Sequence, residues 1–230
     1  MRITILTGAG ISAESGLRTF RASDGLWEDH RIEDVATPEG FAADPALVLR
    51  FYNERRAAAR AARPNAAHRA LARLAARFPV TLVTQNVDDL HERGGSDEVV
   101  HMHGSLTGAL CAECGHRWPA PAVMSPADRC PSCAALATRP DIVWFGEIPY
   151  HMERIWQAVE SADIFAAIGT SGQVYPAAAL AQHAARAGAH TVELNLAASA
   201  VSHDFAEHLQ GPASQVVDGW VRRLLGDAGA

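Results

Sequence analysis

Apolar residues fall in short continuous runs along this chain, and glycine or polar turns close most of them. Residues 2–7 run directly into Gly8-Ala9-Gly10, and further β-rich runs follow at Val80–Thr84, Ile164–Ile168, 191–194 and 215–217. Runs that are apolar on both faces suit parallel strands covered by helices. Between them lie helical stretches at 45–62, 66–77, 153–161 and 175–187, with a last helix from about Asp218. This alternation predicts an open, doubly wound parallel α/β domain. Two segments interrupt it. Residues 16–79 are too many for a simple crossover and carry their own helices, and residues 107–140 hold every cysteine. Both are expected outside the main sheet, together as a smaller domain.

Composition narrows the picture. The 230 residues are 48% hydrophobic, enough for a sizeable core. No stretch reaches the length of uncharged apolar sequence that spans a bilayer. The first apolar run reads as a strand and leaves no room for a signal peptide, so a cytoplasmic location is expected. A net charge of -6 without a Lys/Arg stripe argues against nucleic acid as the main partner. A mildly acidic surface tolerates lysine-rich peptides. Nothing implies a membrane partner, and a monomer is the default.

Cys111, Cys114, Cys130 and Cys133 form C-x2-C-x15-C-x2-C. Each C-x2-C turn offers two thiolates to one tetrahedral zinc ion. Disulfides are disfavoured without an export signal, and a redox site needs only one such pair. Four cysteine ligands leave no open position for water or substrate, so the zinc is expected to be structural.

Gly8-Ala9-Gly10-Ile11-Ser12 follows the first strand at once. Glycines there permit a tight turn, close ligand approach and amides presented to an anion. The dinucleotide fingerprint wants a third small residue, and Ala13 supplies it. Gly169-Thr170-Ser171 and Glu193-Leu194-Asn195 also stand at strand ends, where ligands of parallel sheets bind. So does Thr84-Gln85-Asn86-Val87-Asp88-Asp89-Leu90-His91, whose polar density suits a polar ligand, although single members could simply cap a helix. In His101-Met102-His103-Gly104 the two histidines would share a face on a strand. Either could serve as a general base near neutral pH, with Gly104 leaving space beside His103. A metal pair lacks a third ligand in register.

In these segments the chain resembles a sirtuin, an NAD-dependent protein-lysine deacylase. The matching stretches are Gly8-Ala9-Gly10-Ile11-Ser12-Ala13-Glu14-Ser15-Gly16, Gln85-Asn86-Val87-Asp88, His103-Gly104, the paired cysteines, Gly169-Thr170-Ser171 and Asn195. The resemblance implies a Rossmann-like NAD-binding domain from residues 1–16, 80–106 and 141–230. It implies a small domain from a cofactor loop and helical module (17–79) and a zinc module (107–140). It implies His103 as general base, with Asn86, Gln85 and Asp88 arranging the ribose and nicotinamide. The first loop, through Glu14, would cradle the pyrophosphate. Phe20 and Arg21 would close over NAD, and Trp27 would lie at its far end. Gly169, Thr170, Ser171, Asn195 and Ala213 would hold the adenosine part. An acylated protein or peptide would enter as a strand along Val143-Trp144-Phe145-Gly146-Glu147. The implied products are free lysine, nicotinamide and O-acyl-ADP-ribose.

One departure is informative. Most sirtuins have Pro-Asp before Phe-Arg in the loop, whereas this chain has Arg18-Thr19-Phe20-Arg21. That form resembles the class III branch, which acts on acidic acyl groups and carries a Tyr-x-x-Arg pair. Tyr52 and Arg55 supply it. Three apart on a helix, they share a face, and an arginine fork with a phenol suits succinyl-, malonyl- or glutaryl-lysine. A solvated basic face is the competing view, since Arg50, Arg56, Arg60 and Arg63 are near, and Tyr52 could be a core residue. Weaker deacetylation is expected beside the acidic substrates. Two other functions fit parts of the pattern. ADP-ribosyl transfer to protein would leave labelled NAD on the protein, and an NAD-sensing binding module would release no nicotinamide.

Overall fold

The computed structural model describes residues 1–18, 26–27 and 30–226. In chain order the elements are β1 (Ile3–Thr7), β2 (Leu26–Trp27), β3 (His30–Arg31), α1 (Ile32–Val35), α2 (Pro38–Ala43), α3 (Pro45–Ala61) and α4 (Ala66–Ala75). Then come β4 (Val80–Thr84), α5 (Leu90–Arg93), β5 (Val99–His101), β6 (Gly104–Cys111), β7 (Arg117–Pro119), β8 (Thr138–Ile142), α6 (Met152–Glu160) and β9 (Ile164–Ile168). The chain continues through α7 (Leu180–Arg186), β10 (His190–Asn195), β11 (Glu207–Gln210) and α8 (Ala213–Leu225).

Six parallel strands form the main sheet in the order β11-β10-β9-β1-β4-β5. β1 is buried along its whole length because it lies between β4 and β9 with helices on both faces. One face packs Ile3, Ile5 and Leu82 against Leu71 and Leu74 of α4 and Val217, Trp220 and Val221 of α8. The other packs Leu6, Phe165 and Ala167 against Ile155 and Val159 of α6 and Leu180 and Ala184 of α7. The doubly wound α/β sheet is therefore as expected. Residues of α4, grouped from the sequence with the small module, pack into this main layer.

Two strand assignments change. Residues 215–217 are helical, not extended, and α8 begins at Ala213 rather than near Asp218. Its Val217, Trp220 and Val221 stripe has helical spacing and covers the sheet. Glu14 caps its start, accepting from the Ser214 amide at 2.8 Å and hydroxyl at 2.7 Å. The edge strand is instead β11, whose Glu207-His208-Leu209-Gln210 alternates burial as an edge does.

The smaller unit sits at the carboxyl ends of the strands. α3 begins at Pro45, with the Asp44 carboxylate accepting from the Leu47 amide at 2.9 Å. Its Val48, Phe51 and Tyr52 pack with Leu106, Ile142 and Trp144. β7-β6-β8 form an antiparallel sheet that carries the cysteines. Among the described residues no helix is long and apolar enough to cross a membrane.

Candidate active site

The sheet order reverses direction between β1 and β9, and a crevice opens beyond their carboxyl ends. Two glycine loops meet there. A Cβ on Gly10 would come within 2.6 Å of the Gly169 Cα, so only glycine lets the loops touch. The Gly8 and Gly10 amides are spent on the Ile168 and Gly169 carbonyls, at 2.9 and 2.8 Å. These glycines join two loops rather than offering their own amides to an anion. The cleft they floor has a volume of about 930 Å³.

Beyond β4 the polar cluster folds over this floor. The Asn86 side-chain amide donates to Ser12 Oγ at 3.2 Å, and the Ser12 hydroxyl donates to Asp88 Oδ2 at 3.2 Å. Asp88 Oδ1 accepts from the Leu90 amide at 3.1 Å. Burial raises the Asp88 carboxyl above its ordinary range, and these donors offset only part of the rise. Gln85 Nε2 donates to Thr170 Oγ1 at 3.0 Å, tying the cluster to the second glycine loop.

The two histidines do not share a strand, because β5 ends at His101 and the chain turns before β6. Gly104 has φ +80°, and a Cβ there would lie 2.1 Å from the Asp141 carbonyl oxygen. Its role is this close turn, not space beside His103. Both His101 nitrogens face acceptors: Nδ1 the Asn86 carbonyl at 3.1 Å, Nε2 the Glu92 carboxylate at 2.7 Å. Burial is the largest single effect and disfavours its charge, but Glu92, the Asn86 carbonyl and Asp88 together outweigh it and raise its pKa. His103 has one such partner, the Gln85 carbonyl at 3.1 Å from Nδ1. A carbonyl only accepts, so the proton of neutral His103 sits on Nδ1 and the Nε2 lone pair is left for a ligand. Burial lowers its pKa, against the Gln85 bond, which keeps the ring neutral at pH 7.

Two further histidines, His91 from the polar stretch after β4 and His68 from α4, are buried and lie outside the residues lining the cleft. His91 Nε2 lies 2.9 Å from Thr7 Oγ1, which donates to Thr84 Oγ1 at 2.8 Å. His68 Nε2 lies 3.4 Å from Ser12 Oγ. Burial pushes His68 down to about 4 and His91 well below its ordinary value. An unfolded chain binds these protons near pH 6.5, so stability is expected to fall as pH drops from about 6.5 toward 4. His68 alone accounts for about 3 kcal/mol of that loss. His101 has the opposite sign but stands against three depressed histidines. Urea midpoints at pH 7 and pH 5 check this, and equal midpoints would contradict it.

On the opposite side of the cleft, Tyr52 is fully buried and its Oη accepts from Trp144 Nε1 at 3.0 Å. Burial pushes the phenol pKa up, so it remains an O–H donor. Among the described residues, that proton has no acceptor. The Arg55 guanidinium lies 5.7 Å from the Trp27 ring centroid, and Trp27 packs edge-on to Phe51 and Tyr52. Trp27 thus stands with Tyr52 and Arg55. Arg50, Arg60 and Arg63 are exposed and form a solvated basic face, but Arg55 and Arg56 are buried and lie outside it. Arg139 stacks on Trp144 at 3.5 Å and holds Glu147 at 2.7 and 2.9 Å, fixing this wall.

One cleft collects all the expected ligand-binding residues that the structure describes: Gly8, Ala9, Gly10, Ser12, Ala13, Glu14, Trp27, Tyr52, Arg55, Gln85, Asn86, Asp88, His103, 143–147, Gly169, Thr170, Ser171, Asn195 and Ala213. Phe20 and Arg21 lie outside the described residues. Three side chains have structural duties as well. Glu14 caps α8, and Asn195 Nδ2 donates to the Thr170 carbonyl at 2.8 Å. Buried Glu193 accepts from the Ser199 amide, the Ser202 hydroxyl and His208, so it orders the loop beside the cleft. The sequence did not reveal Tyr175 and the 196–200 loop, which also line it.

Cys111, Cys114, Cys130 and Cys133 converge apart from the cleft, with every sulfur within 4.8 Å of the others. The Cys111–Cys133 and Cys114–Cys130 sulfurs are 3.7 Å apart. That is far beyond a disulfide, whereas zinc with four thiolates sets its sulfurs about 3.8 Å apart. The four thiols fit a closed, structural zinc ion.

Comparison with known proteins agrees with this geometry. The model of the Sir2 family matches residues 8–176. The NAD-dependent protein deacylase of Escherichia coli (strain K12) is 56% identical over 229 residues, covering 97% of this chain and 82% of that protein. The NAD-dependent protein deacylase of Caulobacter vibrioides is 51% identical over 231 residues, covering 98% and 97%. A solved Sir2 homolog–NAD complex superposes with TM-score 0.90 at 39% identity, covering 99% of this chain and 91% of the other. A Sir2 bound to acetylated peptide gives 0.83 at 28% identity, covering 99% and 93%. The chain belongs to the Sir2 family.

Proposed function

We propose that this Sir2-family NAD-dependent protein-lysine deacylase is built for acidic acyl groups, succinyl-, malonyl- and glutaryl-lysine, with weaker turnover of acetyl-lysine. The observation that carries this is the buried Tyr52 hydroxyl. It accepts from Trp144, keeps its own proton for donation, and lines the same cleft as Arg55 and His103. A carboxylate at the end of an acyl chain takes that proton and the fixed guanidinium charge together. An acetyl group ends in a methyl, which offers no acceptor to either.

At the other end of the cleft, NAD supplies an electrophilic anomeric carbon and a leaving nicotinamide. Asn86, Gln85 and Asp88 orient the ribose from a preorganised network, which reduces the cost of bringing a weak acyl-oxygen nucleophile to that carbon. His103 Nε2 then takes a ribose hydroxyl proton, and the Gln85 carbonyl stabilises the imidazolium through Nδ1. The glycine loops hold the pyrophosphate side, and Asn195, Ser171 and Ala213 the adenosine side. The Val143, Trp144, Phe145 and Glu147 amides already have partners. A substrate strand therefore pairs mainly through the carbonyls of this stretch and the Gly146 amide.

Arg55→Met is expected to lower succinyl-lysine turnover at least about tenfold and spare acetyl-lysine. Rates on one peptide carrying acetyl, malonyl, succinyl or glutaryl lysine measure this. Equal losses on acetyl and succinyl substrates would reject Arg55 as the carboxylate reader.

A further inference from the structure

Between β8 and α6 the chain makes one excursion, residues 143–149, which carries the stretch assigned above to substrate pairing. Its two ends meet on adjacent residues. The Val143 amide donates to the His103 carbonyl and the Tyr150 amide to the Met102 carbonyl, each at 2.9 Å. The outgoing half is gripped from β8, where Arg139 stacks on Trp144 and pairs with Glu147. The returning half has less cover. Ile148 is 83% exposed, and Gly146 turns at φ +90° with open space around it. A surface loop with a bare tip takes its position from its base.

Tyr150 closes that base a second time. Its hydroxyl donates to Asp141 Oδ1 at 2.9 Å. Burial raises the phenol pKa, so the proton stays available for donation. The acceptor has a fixed origin, because β6 passes Asp141 on two glycines. A Cβ on Gly104 would lie 2.1 Å from the Asp141 carbonyl oxygen, and one on Gly108 2.9 Å from the Asp141 Cβ. Arg117, on β7 of the cysteine-bearing sheet, adds a third member. Its Nε donates to Asp141 Oδ2 at 3.0 Å, and its guanidinium lies 5.0 Å from the Tyr150 ring centroid. None of the three lines the cleft. We propose that Tyr150 and Asp141 are positioning residues that clasp the base of this loop and preset the strand on which the acyl peptide pairs. The proposal rests on the assignment of residues 143–147 as the peptide-pairing stretch. A loop ordered in the free enzyme spares peptide binding the entropy of ordering it and leaves the NAD chemistry untouched. The effect therefore falls on peptide KM rather than on kcat.

The test uses the zinc-loaded protein and the acyl-lysine peptide it turns over fastest. Tyr150→Phe removes one oxygen and keeps the ring beside Arg117. It is expected to raise peptide KM at least about threefold, with kcat and NAD KM within about twofold of the parent. Asp141→Asn keeps a hydrogen-bonding partner for the phenol and is expected to leave all three constants within about twofold. In an Asp141→Ala background, Tyr150→Phe is expected to cause no further rise, since its acceptor is gone. A purely structural role would instead lower kcat and melting temperature together and multiply the two losses. That pattern, or a smaller rise in peptide KM for Tyr150→Phe, overturns the proposal. If Asp141→Ala does not fold, the contrast between Tyr150→Phe and Asp141→Asn decides alone. Hydrogen exchange in the parent separates the two levels. Acyl peptide is expected to slow exchange across residues 143–147, and no slowing rejects the pairing stretch and the clasp with it. Slowing beside a silent Tyr150→Phe rejects only the clasp.

Discussion

His103→Tyr is expected to fold, bind zinc and lose NAD-dependent nicotinamide release by a factor of about 10² to 10⁴. The backbone at this position does not depend on the ring, since the His103 carbonyl accepts the Val143 amide at 2.9 Å whatever the side chain. What the substitution removes is an Nε2 lone pair on a ring held neutral by burial, with its Nδ1 proton donated to the Gln85 carbonyl. A phenol near pKa 10 accepts no proton at neutral pH. His103→Gln sharpens the point, because its amide can still reach the Gln85 carbonyl yet supplies no base. Both variants should be equally inactive in a nicotinamide-release assay with unchanged melting temperature. The parent enzyme should show an acid limb in kcat/KM below about pH 6.5, following the lowered pKa of His103. Substantial turnover by either variant would move the base elsewhere. His101 is a poor second candidate, because both its nitrogens already face acceptors.

That choice shows where sequence runs out. The central strands were legible because burial on both faces forces continuous apolar runs, as in Ile3–Thr7 and Ile164–Ile168. The family motifs then located the cleft from one end of the chain to the other. Residues 215–217 misled because two adjacent valines look β-like in isolation. Only the spacing to Trp220 and Val221 and the cap from Glu14 make them helical. β11 was invisible because an edge strand alternates and carries charge. The two histidines of His101-Met102-His103 could not be separated locally, since what distinguishes them is Glu92 on one side and Gln85 on the other. His68 carried one faint signal, the Asn65-x-x-His68 spacing of a helix cap, but its contact with Ser12 spans 56 residues. Buried polar partnerships of that range have no local pattern.

Verified removal of zinc is expected to abolish deacylation while leaving the main sheet largely folded. Four thiolates in this spacing bind zinc with a free energy of about 10–16 kcal/mol in small domains, and the metal holds together a segment with little core of its own. Cys111 ends β6, and its pairing with Thr138 continues along β8 to Ile142. Leu106 and Ile142 of those two strands line the cleft, and β6 begins one residue after His103. A second tether runs from the same segment to α3, the helix that carries Tyr52 and Arg55. The Asn53 side chain pairs with both the amide and the carbonyl of Met124, at 2.8 Å each. Buried Arg56 spans the Leu106 carbonyl and the Met124 sulfur. Loss of zinc thus loosens the His103 turn through β6 and the Tyr52–Arg55 face through α3. The apolar layers on either side of the parallel sheet contain none of residues 107–140 and should survive. Circular dichroism should accordingly retain most of its helical signal while nicotinamide release disappears, and zinc added back before aggregation should restore it. Activity that persisted in protein shown by metal analysis to lack zinc would mean that β6 and α3 hold the cleft without it.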